Sequence, residues 1–191
     1  MSSRASPKVV VLMGGFSFER EVSLTSGREC ASALRDEGFN VVELDAGADL
    51  VSRLLELSPD IVFNALHGRW GEDGCVQGML EWMGLPYTHS GVLSSALAMD
   101  KQKSKHAYAA AGLPVVHSVI VPKEDVMARH VMEAPYVVKP NNEGSSCGIY
   151  FVQENTNEME ENVYHLELLE IVHGKTKKAR KQSSIFNHLK L

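Results

Sequence analysis

The chain alternates short apolar runs with amphipathic stretches. Lys8–Met13 is a β-branched run closed by Gly14-Gly15, which predicts a buried strand ending in a turn. Residues 23–37 predict a helix with Cys30, Ala31 and Leu34 on one side and Gly38 at its C′ position. Residues 41–44 read as a second strand. Leu50–Leu57 reads as a short amphipathic helix stopped by Ser58-Pro59. Residues 61–65 predict a third strand, and 76–83 a helix closed by Gly84. This β-α-β-α-β order implies right-handed crossovers and a parallel sheet. Two helices are then expected over 91–99 and 101–111, with Gly112 as a stop. A strand over 115–121 and a helix over 124–133 follow. Strands over 136–139 and 149–152 bracket a Gly/Ser loop, so they predict a hairpin and a different kind of sheet. A domain change is placed near residue 90.

Composition sets the limits of this picture. Hydrophobic residues make up 44% and charged residues 23%, which is enough apolar material to build a core. The apolar runs are short, such as residues 9–13, against the roughly 20 residues a membrane helix needs. Residues 1–8 carry no apolar signal region, so a cytoplasmic protein is expected. The net charge of -5 makes nucleic acid a poor partner. Cys30, Cys75 and Cys147 are far apart and form no CxxC, which suits a reducing compartment and argues against a structural zinc site.

Residues 155–191 differ from the rest. They hold none of the seven prolines, no aspartate and one of the fifteen glycines. Residues 162–172 are apolar at helical spacing (Val163, Leu166, Leu169), which allows an amphipathic helix. Lys175, Lys177, Lys178, Arg180 and Lys181 form a basic run that reads mainly as a solvated tail.

Three loops follow predicted strands, where open parallel sheets bind ligands. The first, from Gly14 to Glu21, matches neither GxGxxG nor a P-loop. Glu19 there is either a functional carboxylate or one that suits a helix N-terminus. The second, from Asn64 to Gly74, sets His67, Arg69 and two carboxylates among glycines that permit close backbone approach. His67 and Arg69 can bind a small anion, or His67 can be satisfied by backbone. The third starts at Lys139 and holds Glu143, Ser145 and Ser146 between glycines. It reads as a phosphate loop with a lysine at its stem, or as a plain hairpin tip. Lys101, opening a helix, is a second phosphate lysine or a surface charge.

Taken in order, "GGFSFEREVSLTSG", "NALHGRWGEDGCVQGMLEWMGLPYTHSGVLSSALAMDK" and "PYVVKPNNEGSSCGI" resemble the N-terminal half of the D-alanine–D-alanine ligases, members of the ATP-grasp superfamily. The resemblance covers residues 8–154. It implies an α/β chain: a Rossmann-like parallel-sheet domain over 1–90, then the incomplete start of an ATP-grasp domain over 91–154, with a non-family tail over 155–191, helical or disordered. It implies that Glu19 holds the ammonium of the first D-alanine and that Ser145 is its hydroxyl partner, linked to Glu19 by hydrogen bonding. His67 is then the residue beside the substrate carboxylate. Lys101, Lys139, Glu143, Gly144 and Ser146 belong to the ATP site.

The implied activity is ATP-dependent formation of D-alanyl-D-alanine for the cell wall through an acyl phosphate, with ATP and Mg²⁺ as cofactors. The partners implied are D-alanine and ATP, neither nucleic acid nor membrane, and a second copy in a homodimer. No metal ligand is assigned in this chain, because the family's Mg²⁺ ligands fall beyond the resemblance. The change after Glu154 reads as a reading-frame change or early stop. The expectation is therefore a ligase whose activity is in question. The other reading is a non-catalytic remnant that binds D-alanine weakly or pairs with another chain.

Overall fold

The computed structural model describes residues 6–128, 130–145, 148–153 and 168–173. They fall into two compact units. The first comprises the chain up to Ala107 together with Asn142–Ser145; the second comprises Tyr108–Asn141 and the chain from Ser146.

In the first unit, β1 (Lys8–Met13), β2 (Asn40–Asp45) and β3 (Ile61–Asn64) form a parallel sheet in the order β2-β1-β3. α1 (Arg20–Asp36) connects β1 to β2, and α2 (Leu50–Leu57) connects β2 to β3. A central parallel strand is covered on both faces, so β1 is apolar from Val9 to Met13 rather than alternating. Its side chains divide by the two-residue period of a strand. Val10 and Leu12 pack with Leu44, Leu54, Val62 and Leu80 in one cluster. Val9, Val11 and Met13 pack with Ala31 and Ala65 in the other, joined by Leu24 and Leu34 of α1. Gly27 lets α1 come this close, because a Cβ there would lie 2.5 Å from the Met13 Cβ.

Helix α1 begins three residues earlier than its hydrophobic period suggests. Arg20, Glu21 and Val22 are half-buried or exposed and carry no periodic signal, yet Glu19 occupies the N-cap and Glu21 the first turn. The helix ends as expected: Gly38 takes a left-handed φ of 86°. After β3 come α3 (Cys75–Trp82), α4 (Val92–Met99) and α5 (Lys101–Ala110). By compactness α4 and most of α5 cluster with the parallel sheet, although the sequence places both beyond the change near residue 90.

The second unit is an antiparallel sheet of β4 (Ser118–Pro122), β5 (Tyr136–Pro140), β6 (Tyr150–Val152) and β7 (Leu168–His173), in the order β4-β7-β5-β6. The expected hairpin is present, with β5 antiparallel to β6. Tyr136, Val138, Val152 and Val126 make the core of this unit. α6 (Lys123–Ala128) is shorter than the 124–133 expected. Val131, Met132 and Ala134 pack against the core in bends, and Pro135 disfavours helix just before it. β4 starts later than expected because Val115 and Val116 are exposed and outside the ladder.

The helix expected over 162–172 is corrected over its last part. Leu168–His173 is a strand, and it pairs with β4 on one side and β5 on the other. Two neighbours each supply a full ladder of backbone partners there, which outweighs the local helical spacing. The first part of that expected helix, and the basic run, lie outside the described residues.

Candidate functional site

The site grows from the loops at the carboxyl ends of β1 and β3. Gly14 and Gly15 both take left-handed backbone, with φ of 74° and 79°. Two side chains tie the loops together. The Ser23 hydroxyl accepts from the Gly14 N–H (2.9 Å) and donates to the Ala65 carbonyl (2.7 Å), and Ser17 Oγ donates to the His67 carbonyl (2.7 Å). In the β3 loop the Gly68 N–H donates to Glu72 Oε2 (2.6 Å), and the Trp70 and Cys75 N–H groups donate to the Asp73 carboxylate (3.0 and 3.1 Å). Those two carboxylates therefore hold the loop in shape. Arg69 is exposed and its guanidinium lies over the Trp70 ring, 4.7 Å from the centroid.

Glu19 is the unusual group. It is 5% exposed, and neither carboxylate oxygen has a hydrogen-bond partner. Gly68 and Gly144 face it: a Cβ on Gly68 would lie 2.6 Å from Glu19 Oε2, and one on Gly144 3.7 Å away. A buried anion without a partner is costly, and the α1 N-terminus offsets only part of that cost. The arrangement is suited to a small cation brought by a ligand.

A cavity of about 740 Å³ opens in the first unit, lined among others by Ser26, His67, Lys101, Glu143, Gly144 and Ser145. Its size is in the range of small-molecule sites. Lys101 Nζ donates to the Glu143 carbonyl. Burial, and next the Glu19 carboxylate, push the Glu143 carboxyl above its ordinary value, while Lys101 and Arg69 pull it back. Glu72, Glu143 and Lys101 thus line the cavity together with His67.

Of the residues singled out from sequence, the first unit brings together Glu19, His67, Lys101, Glu143, Gly144 and Ser145. The expected hydrogen bond from Ser145 to Glu19 is not formed: Glu19 is buried without a partner, whereas Ser145 is exposed on left-handed backbone with φ of 47°. Lys139 lies on β5 of the second unit, half-buried between the buried Val138 and Pro140. Ser146 lies outside the described residues. Sequence reasoning passed over Ser26, whose Oγ is 2.9 Å from His67 Nε2, and Gln77, which is 2% exposed with an unpartnered Oε1. The one signal for Ser26 is its place one turn after Ser23 in the same motif.

Comparison with known proteins bears directly on this geometry. The family model described as D-ala D-ala ligase N-terminus matches residues 48–90. The D-alanine--D-alanine ligase of Ruegeria sp. (strain TM1040) is 70% identical over 156 residues, which is 82% of this chain and 51% of that protein. The chain carries the N-terminal part of the D-alanine–D-alanine ligase family. The ligase of Roseobacter denitrificans is likewise 70% identical over 156 residues, covering 82% of this chain and 49% of its own length. The chain thus spans about half the length of the curated ligases it matches. Among solved structures, a D-alanine--D-alanine ligase from Bacillus anthracis superposes with a TM-score of 0.70 at 31% identity, over 87% of this chain and 57% of that one. The same ligase complexed with ATP superposes at 0.69 with 28% identity, over 87% and 58%. The mixed α/β architecture, a parallel sheet followed by a second sheet, is the ligase fold over that span.

Proposed function

We propose that the chain acts in ATP-dependent ligation of two D-alanines, and that its first unit supplies the pocket for the first of them. The observation that carries this is Glu19, a buried carboxylate with no hydrogen-bond partner, faced by Gly68 and Gly144. A D-alanine ammonium placed there satisfies the anion and leaves the substrate carboxylate for reaction. His67 lies on the cavity wall of the same unit, as a second group to meet the amino acid.

In the proposed reaction the first D-alanine carboxylate attacks the γ-phosphate of ATP, giving an acyl phosphate and ADP. The amine of a second D-alanine then attacks that carbonyl and expels phosphate. Protein groups contribute positioning and charge neutralisation, the terms that dominate such transfers. Lys101 at the start of α5 is the candidate phosphate contact in the first unit. Glu143 and Gly144 beside it would flank the nucleotide, with Lys139 on β5 and Ser146 as further contacts. Ser145, on the rim of the cavity, is the hydroxyl to close over bound substrate.

Mg²⁺ accompanies ATP in this reading. Among the described residues no group of three or more His, Cys, Asp or Glu side chains is arranged to hold a metal, so the described residues do not fit the ion and no step is derived through it. Action in the bacterial cytoplasm, in cell-wall synthesis and as a homodimer, completes the proposal.

The test is titration of the full chain with D-alanine, followed by D-alanine-dependent phosphate release from ATP. Saturable binding that is at least about tenfold weaker in Glu19→Gln supports the reading, because one charge-assisted contact is worth about 1.5–3 kcal/mol. Equal binding of D-alanine by the two proteins would overturn it.

A further inference from the structure

Helix α1 carries two serines one turn apart, and they have different work. Ser23 is fully buried and joins the two loops, as described. Ser26 is half-buried, and its Oγ meets His67 Nε2 from 41 residues away in sequence. A hydroxyl has one proton. Around Ser26 Oγ stand the Val22 carbonyl at 3.0 Å and the Ser23 carbonyl at 3.4 Å, both of which can only accept. With that proton directed to the helix carbonyls, the contact with His67 is one in which Nε2–H donates to Ser26 Oγ. Among the described residues no group bonds His67 Nδ1. In that arrangement the neutral ring is the Nε2–H tautomer, and Nδ1 is its nitrogen left for a ligand in the cavity that both residues line.

We propose that Ser26 is the positioning residue for His67: it accepts the Nε2–H and thereby makes Nδ1 the atom that meets the bound amino acid. This rests on the reading of His67 as a substrate-binding residue. It also sharpens that reading. A neutral Nδ1 only accepts, so it faces an N–H of the ligand; it faces a carboxylate only when the ring is an imidazolium. Sequence spacing alone gives no such polarity to the site.

The experiment is a long-range proton–nitrogen correlation of the ¹⁵N-labelled full chain at mildly alkaline pH, where imidazole is ordinarily neutral. The His67 signals are identified by their loss in His67→Gln. The expected result is a protonated Nε2 in the wild type, with the Nδ1 signal moving when D-alanine is added. Ser26→Ala should redistribute His67 toward the Nδ1–H tautomer and weaken D-alanine binding about tenfold, the value of one lost orienting contact to a charged ligand. Ser26→Thr keeps the hydroxyl and should restore both. Ala is a good helix former, so Ser26→Ala should fold, and Ser26→Thr provides a second reading. A wild-type ring protonated at Nδ1, or a tautomer unchanged in Ser26→Ala, overturns the proposal. A tautomer that follows Ser26 in a chain that binds no D-alanine supports the positioning role and removes the functional reading instead.

Discussion

Gly68 shows how one missing side chain serves both fold and site. Its φ of 68° is left-handed, and a Cβ there would collide with Glu19 Oε2 at 2.6 Å. Gly68→Ala is expected to lower stability by about 1–3 kcal/mol, read as a shift in denaturant midpoint, and to displace Glu19. Glu19→Gln should act in the opposite sense. Removing a buried, unpartnered charge raises stability by about 1 kcal/mol or more in thermal unfolding, while D-alanine affinity falls. Glu143 gives a pH dependence. Its folded carboxyl holds its proton more tightly than the ordinary value of 4.5, so its contribution to stability is present below about that pH. The contribution is lost as pH rises through the elevated value. Glu143→Gln should therefore melt higher than the wild type at neutral pH and match it in acid. A pH series of thermal melts reads both ends.

At the scale of elements, α1 against β1 sets local propensity against packing. Alanine is favoured over glycine within a helix by about 1 kcal/mol. Gly27, however, faces Met13, and an added Cβ would sit 2.5 Å from the Met13 Cβ. Packing should win: Gly27→Ala is expected to destabilise, with a denaturation midpoint below the wild type. Leu12→Ala, at a fully buried position of the central strand, should cost about 2–5 kcal/mol in the same assay. The elements of the first unit were legible because each agrees with its own periodicity: a two-sided apolar β1, an amphipathic α2, a glycine stop after α1. The start of α1 was not. Its first turn opens on Arg20 and Glu21 after an N-cap, Glu19, that makes no side-chain capping bond, and hydrophobic spacing does not report it.

For the whole molecule the second sheet carries the lesson. β7 lies between β4 and β5, so β4 takes its ladder from it and β5 one of its two ladders. A chain ending at residue 154 should lose amide-exchange protection in Ser118–Pro122 and Tyr136–Pro140. Hydrogen exchange on that variant is the measurement, and the parallel sheet of the first unit serves as the internal control.

The sequence by itself determined the parallel α/β unit, the hairpin, the family to which residues 8–154 belong and the three loops that carry the site. These follow from local period, turn residues and motif order, all of which are properties of neighbours in the chain. Only the tertiary structure decided that Glu19 lacks a partner, that Ser145 does not supply one, and that Ser26 holds His67. It also made a strand of Leu168–His173. Those facts depend on which groups meet across 41 or more residues and on how many backbone ladders a segment can join, and no window of sequence contains either.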